Sequence, residues 1–217
     1  MLRCMAEPRQ VRRHASGSAT WVAHRAGLFV FALLMVTGCA AEESPPSGGQ
    51  QVVLALAEDA DQAGAEAQYD MLRDGDVTRS EYAQALDQMA ACWLELGVQM
   101  SEPYVNPVDG IQFMYDVSAV GPTAPDVEGS QEECRTANLS FVEQAFVGST
   151  EPVMDPRLQS AVVQCVGERG LRVTGDEVNL RELVDAVGEA EAGEVTGCLD
   201  SVIREVFPDI GPYGVSY

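Results

Sequence analysis

Four cysteines in the second part of the sequence, Cys92, Cys134, Cys165 and Cys198, constrain its fold more than any other feature. A bonded pair must hold its Cα atoms within about 7 Å, so each bridge fixes a long-range contact before packing is considered. Four cysteines allow three pairings. An internal echo narrows the choice. Cys92-x-x-Glu95-x-Gly97-Val98-x-Met100 and Cys165-x-x-Glu168-x-Gly170-Leu171-x-Val173 share one pattern of Cys, Glu, Gly and apolar residues. It puts each leading cysteine in the last turns of a helix, with Gly at the C-cap and a strand after it. Each is followed by a cysteine on a later helix, which predicts Cys92 with Cys134 and Cys165 with Cys198. Each bridge should contribute about 2–4 kcal/mol. A metal tetrathiolate is the alternative, but no Cys-x-x-Cys spacing supports it.

Cysteines pair in oxidising compartments, so the start of the chain matters. Residues 1–26 hold Arg3, Arg9, Arg12, Arg13 and Arg25 with one acid, Glu7, and lead into an apolar run at 27–36. Spanning a bilayer takes roughly 20 apolar residues; a run of about ten suits the h-region of a secretory signal. Val36-Thr37-Gly38-Cys39 follows. This resembles the lipobox of bacterial lipoproteins, with Val where Leu is commoner. The resemblance implies signal-peptidase recognition through Val36, Thr37 and Gly38. It also implies an acyl lipid such as palmitate on Cys39, and a protein held by that lipid on the extracytoplasmic face of the cell membrane. The lipid is the one covalent group expected; no other cofactor is.

Removing residues 1–38 takes five of the thirteen Arg, both His and one of the 34 acids. The remainder keeps eight Arg against 33 acids, a side-chain charge of −25, with no Lys and no His. Ser-His-Asp or Cys-His nucleophiles, His-ligated metals, Lys Schiff bases and a P-loop lysine are thereby excluded. Nucleic-acid binding is equally disfavoured, because phosphate contacts come mainly from Lys and Arg. The acidic surface reads first as solvation of a tethered domain. Runs such as Glu189-Ala-Glu191-Ala-Gly-Glu194, or the acids between 128 and 133, leave an unidentified envelope protein or a cation as the remaining partner classes.

Residues 39–50 are rich in Ser, Pro and Gly and read as a lipid-anchored flexible linker. The rest suits a helix-rich α+β fold of two small disulfide-stapled lobes. The first, 51–150, is of helix-hairpin-helix type, and the second, 151–217, is mostly helical. One helix is expected over 51–72 and another over 78–96, with Tyr82, Ala85, Leu86, Met89, Trp93 and Leu96 on one face. Strands over 98–105 and 111–117 should pair through Asn106-Pro107-Val108-Asp109-Gly110, with Ile111, Phe113, Tyr115 and Val117 turned to the core. A helix over 128–147 carries Cys134. In the second lobe, a helix after Pro156 precedes a short strand at 171–173 and helices over 179–191 and 196–207.

Asp70, Asp74, Asp76 and Glu81 form a calcium candidate. Set against an EF-hand loop, Asp70, Asp74 and Glu81 take positions one, five and twelve, with Gly75 at six. Leu72 at position three offers no ligand oxygen. The same residues read as an Asp-Gly turn followed by a capping box, Thr78-x-x-Glu81. A capped start recurs at Val178-Asn179-x-x-Glu182, and no loop of this kind is expected before it.

Two carboxylates at a fixed separation would suffice for a glycosidase, but acids dispersed along the whole chain produce such pairs by chance. Trp93, the one Trp left after the leader, falls on a core face rather than a ligand platform. The body resembles uncharacterised exported proteins and lipoproteins of high-GC Gram-positive bacteria. The residues that carry this are Asp74-Gly75-Asp76-Val77-Thr78-Arg79-Ser80-Glu81-Tyr82, then Cys92 to Gly97, then Cys134. That resemblance brings no catalytic residue. The expectation is therefore a membrane-anchored extracytoplasmic lipoprotein, a non-enzymatic binding or accessory module of the cell envelope. The alternatives are a carboxylate-dependent hydrolase of envelope glycans and a calcium-stabilised structural domain.

Overall fold

The computed structural model describes residues 47–121 and 127–211, which belong to one compact unit. The expected leader, with Val36, Thr37, Gly38 and Cys39, lies outside the described residues, as does most of the tether. The fold is helix-rich, with two small two-stranded sheets and two disulfides, Cys92–Cys134 and Cys165–Cys198.

Ser47 begins the described chain by capping α1 (Gly48–Gln62), its Oγ accepting from the Gln50 N–H. The helix thus starts three residues earlier than expected. The single helix expected over 51–72 is two, because Gly64 takes a left-handed φ of +74° and α2 (Glu66–Leu72) restarts after it. Thr78 and Glu81 form a complete capping box ahead of α3 (Arg79–Glu95). All the expected inward residues of α3 are buried except Leu96, just past its end, which is partly buried against the same core.

After Gly97 the chain runs out through β1 (Val98–Met100) and β2 (Tyr104–Val105). It returns through β3 (Phe113–Met114) and β4 (Val117–Ala119). β1 pairs with β4 and β2 with β3, both antiparallel, so the two long strands expected are each interrupted. The gap falls at Ser101, Glu102 and Pro103, where proline has no N–H for a ladder. Val117 was expected inward. It is instead 53 % exposed, because β4 lies outside β1, and in this pair the core is reached from β1, by buried Val98 and partly buried Met100.

The helix expected over 128–147 breaks into α4 (Val127–Asn138) and α5 (Ser140–Ser149). Leu139 between them is fully buried, and no side chain of its own caps α5. The cap comes from α2. Buried Gln68 donates through Nε2 to the Thr136 carbonyl at 2.8 Å and accepts through Oε1 from the N–H groups of Phe141 and Val142 at 2.9 and 3.3 Å. One amide satisfies the end of one helix and the start of the next, which makes the kink affordable only in the folded state.

Beyond it come α6 (Pro156–Glu168), opened by Asp155 with Pro156 at its first position, and α7 (Leu180–Val187), capped by Asn179. A 3-10 turn, Glu189–Glu191, leads into α8 (Ala192–Val206). The expected helix over 179–191 therefore ends early, at Gly188, whose φ is +96°. The strand expected at 171–173 is irregular chain. Leu171 and Val173 pack their side chains against α6 and α8 without a neighbouring strand to bond.

The apolar side chains form two clusters. One joins α1 to α5 with Val98 and Ile111 and includes Cys134; the other joins α6 to α8 with Met154 and Val108 and includes Cys198. Replacing Gln68 by Leu leaves the Thr136 carbonyl and two N–H groups without their partner. We expect Gln68→Leu to lower the unfolding free energy by about 2–4 kcal/mol in a urea titration, and an unchanged midpoint would remove this account of the kink.

Candidate functional site

The β2–β3 turn is where the two clusters meet. Asn106 is fully buried, and its Oδ1 accepts from the Val108 N–H at 3.0 Å while its Nδ2 donates to Asp109 Oδ2 at 3.0 Å. Asp109, also buried, accepts through Oδ1 from the N–H groups of Ile111 and Gln112 at 2.7 and 3.1 Å. The turn therefore satisfies its own polar groups, as a buried loop must. Val108 points into the second cluster and Ile111 into the first.

The turn grips the chain between α5 and α6. Val153 donates its N–H to the Asp109 carbonyl and Asp155 to the Pro107 carbonyl, both at 2.8 Å. On the other side Met154 donates to the Val178 carbonyl at 2.8 Å, and Asn179 Nδ2 to the Pro152 carbonyl at 3.3 Å. Gly110 has a φ of +66°, and a Cβ there would run into the Val153 carbonyl oxygen. Arg79 closes the far side of the turn: its Nη2 donates to the Gly110 carbonyl at 2.6 Å, and its guanidinium stands 5.1 Å from the Phe146 ring centroid.

Beside this junction lies a cavity of about 520 Å³, bordered by Gly49, Asp109, Ser149, Thr150, Glu151 and Arg181 among others. Of its two acids, Asp109 is occupied by three hydrogen bonds within its own turn, and Glu151 is exposed. Arg181 is exposed in the first turn of α7 and makes no ion pair with another described residue. The lining combines main-chain groups, the Thr150 hydroxyl and one cation with apolar Val108, Ile111, Val147 and Leu180, the mixed character of a ligand site.

No protein-family profile, curated protein or solved structure matches this chain. What the cavity can do is therefore read from its own side chains.

The four predicted cysteines stand in their two bridges. The calcium candidates are spread among local tasks. Asp70 pairs with Arg73 at 3.3 Å, and Asp74 and Asp76 accept from the next N–H groups along the turn. Glu81 Oε2 accepts from the N–H and hydroxyl of Thr78. Among the described residues no three His, Cys, Asp or Glu gather as a metal site. Glu194 of the acidic run pairs with Arg169, and the acids of the 128–133 run lie on the exposed side of α4. Trp93 is core, with its indole N–H donating to the Gln131 carbonyl at 3.0 Å and its ring edge-on to Tyr115.

A loop of the kind seen at Gly75 also precedes α7, against expectation. Gly175 takes a φ of +87° beside the +81° of Gly75. Here the organising acid is Glu177, which accepts from the Thr174 N–H and hydroxyl and from the Gly175 N–H at 2.8–3.0 Å. Burial alone would raise its carboxyl pKa, but these donors outweigh it and hold the group below its ordinary value of 4.5. In the first cluster, buried Tyr82 donates to Glu143 at 2.9 Å, and burial first, then the Glu143 charge, pushes its phenol far up.

Nothing in the sequence distinguishes Asn106 and Asp109 from an ordinary surface turn; the Asn-Pro-x-Asp-Gly signal announces a bend and is silent on burial. Gly110→Ala meets both an unfavourable φ and the Val153 carbonyl, and is expected to lose about 1–3 kcal/mol in thermal or urea unfolding. Glu177 stabilises the fold while ionised. Its contribution is complete above pH 4.5 and disappears as pH falls through its lowered folded value. Glu177→Gln should therefore weaken the protein at pH 7 and converge with the parent in acid, as followed by unfolding midpoints across pH.

Proposed function

We propose that the chain is an exported lipoprotein, anchored to the extracytoplasmic face of the membrane through Cys39. It acts there as a non-enzymatic binding or accessory module, with the cavity at the 106–110 turn as its ligand site. The two apolar clusters are read as two lobes, each with its own bridge, and the cavity as the cleft between them. The observation that carries the binding reading is the state of Asp109. A carboxylate that accepts three hydrogen bonds inside its own turn is a structural group, which leaves Glu151 without a second acid free to share catalysis. The export reading rests on the order of basic segment, apolar run and Val36-Thr37-Gly38-Cys39. The two disulfides are in keeping with an oxidising address.

The anchor is tested by intact-mass analysis and vesicle flotation of protein made in a bacterium with lipoprotein processing. The parent should lose residues 1–38, gain acyl mass and float. Cys39→Ala should gain no acyl mass and stay with the soluble fraction. The binding reading is tested with soluble glycan fragments of the envelope: no new reducing ends are expected. Their release, abolished by Glu151→Gln, would replace binding by hydrolysis.

A further inference from the structure

After Glu42 and Glu43, the tether enters the fold through an uncharged stretch. Seven residues lie between Cys39 and Ser47, so the Cα of Cys39 and the first turn of α1 stay within about 28 Å of each other. Residues 44–57, which include the first half of α1, carry no charged side chain, although the exported chain holds 33 acids. The start of α1 lies against the end of α5. A Cβ on Gly49 would touch Ser149, and one on Gly148 would meet Val52 at 3.3 Å. Residues 144–150 at that end of α5 are likewise uncharged.

Between the two helices runs a shallow apolar groove of about 600 Å³ bordered by Val52, Ala55, Leu56 and Val147. Val52 is 40 % exposed in it. The lining also includes Asp59, one turn after Ala55, Glu143, one turn before Val147, and Gln112 and Gln144, with Arg135 paired to Glu143 at 2.6 Å. Glu151 follows the uncharged end of α5, and the turn with exposed Asp74 and Asp76 touches α1 at Gln50 and Leu54; neither enters the groove lining.

We propose that the groove side of this face, Val52 and Ala55 of α1 beside Val147 of α5, rests on the surface of the membrane that carries the lipid. The proposal builds on the acylation of Cys39. An anionic leaflet repels the acids spread over the rest of the domain, within about a Debye length. The short tether, past Glu42 and Glu43, holds close to the bilayer a face whose own residues, 44–57 and 144–150, carry no acid. Val52 and Ala55 then meet the interface, and the acidic remainder faces away from it.

The test uses the acylated full-length product on vesicles of phosphatidylglycerol and phosphatidylcholine whose acyl chains carry bromine. Val52→Trp is compared with Gln62→Trp at the other end of α1, with the unsubstituted protein correcting for buried Trp93. Val52→Trp is expected to lose about half its emission, as a tryptophan at the interface does, and Gln62→Trp little. Because tryptophan itself favours an interface, hydrogen exchange of the unsubstituted protein supplies a second reading. Amides of 48–57 should exchange more slowly on vesicles than in detergent, while those of α8 do not change. If the protein floats but Gln62→Trp is quenched as strongly as Val52→Trp, or 48–57 gains no protection, the anchor stands and the contact is overturned. If nothing floats, the anchor itself fails and the contact falls with it.

Discussion

The rest of the structure depends on a five-residue turn that satisfies its own polar groups. Residues 106–110 leave the sheet, place Val108 in one apolar cluster and Ile111 in the other, and fix the 152–155 segment by main-chain hydrogen bonds. A loop can be buried this deeply only if its N–H and C=O groups find partners, and the Asn106 amide and Asp109 carboxylate provide them locally. Without that pair, each cluster would still have its helices and its disulfide, but the cavity beside the turn would have no fixed walls.

The acids are put to two uses. Many lie on the surface, where they keep the domain charged and solvated. A smaller set organises backbone: Glu81 and Glu182 complete helix starts, Glu177 gathers the donors of its turn, and Asp155 opens α6. The sequence after residue 38 holds no lysine or histidine, and these carboxylates are partnered by N–H groups, the Thr78 and Thr174 hydroxyls and Arg157. The local commitments also account for the calcium candidates: Asp74, Asp76 and Glu81 each already accept a hydrogen bond from the turn they build.

The uncharged face at the start of α1 contrasts with this distribution. A protein held by a short tether experiences its membrane as a constant neighbour, and the charges nearest the attachment feel it most. After Glu42 and Glu43, residues 44–57 at the tether's end and the first ten positions of α1 are free of acids, which links the linker's composition to the surface of the domain.

Much of the fold was legible in the sequence, because helix faces and helix starts are set by residues within four positions of one another. The inward stripe of α3, the caps at Thr78 and Asn179, and the bridges Cys92–Cys134 and Cys165–Cys198 follow from such local signals and from one short internal echo. The break at Leu139, the burial of Asn106 and Asp109, and the exposure of Val117 do not. Gln68 is 68 residues from Thr136 and 73 from Phe141, the two groups it joins across the kink. A turn signal such as Asn-Pro-x-Asp-Gly reads the same in water or in a core. Sequence periodicity decides which face of an element is apolar; what comes to lie against that face, and which polar groups are cut off from water there, is decided only when distant segments pack.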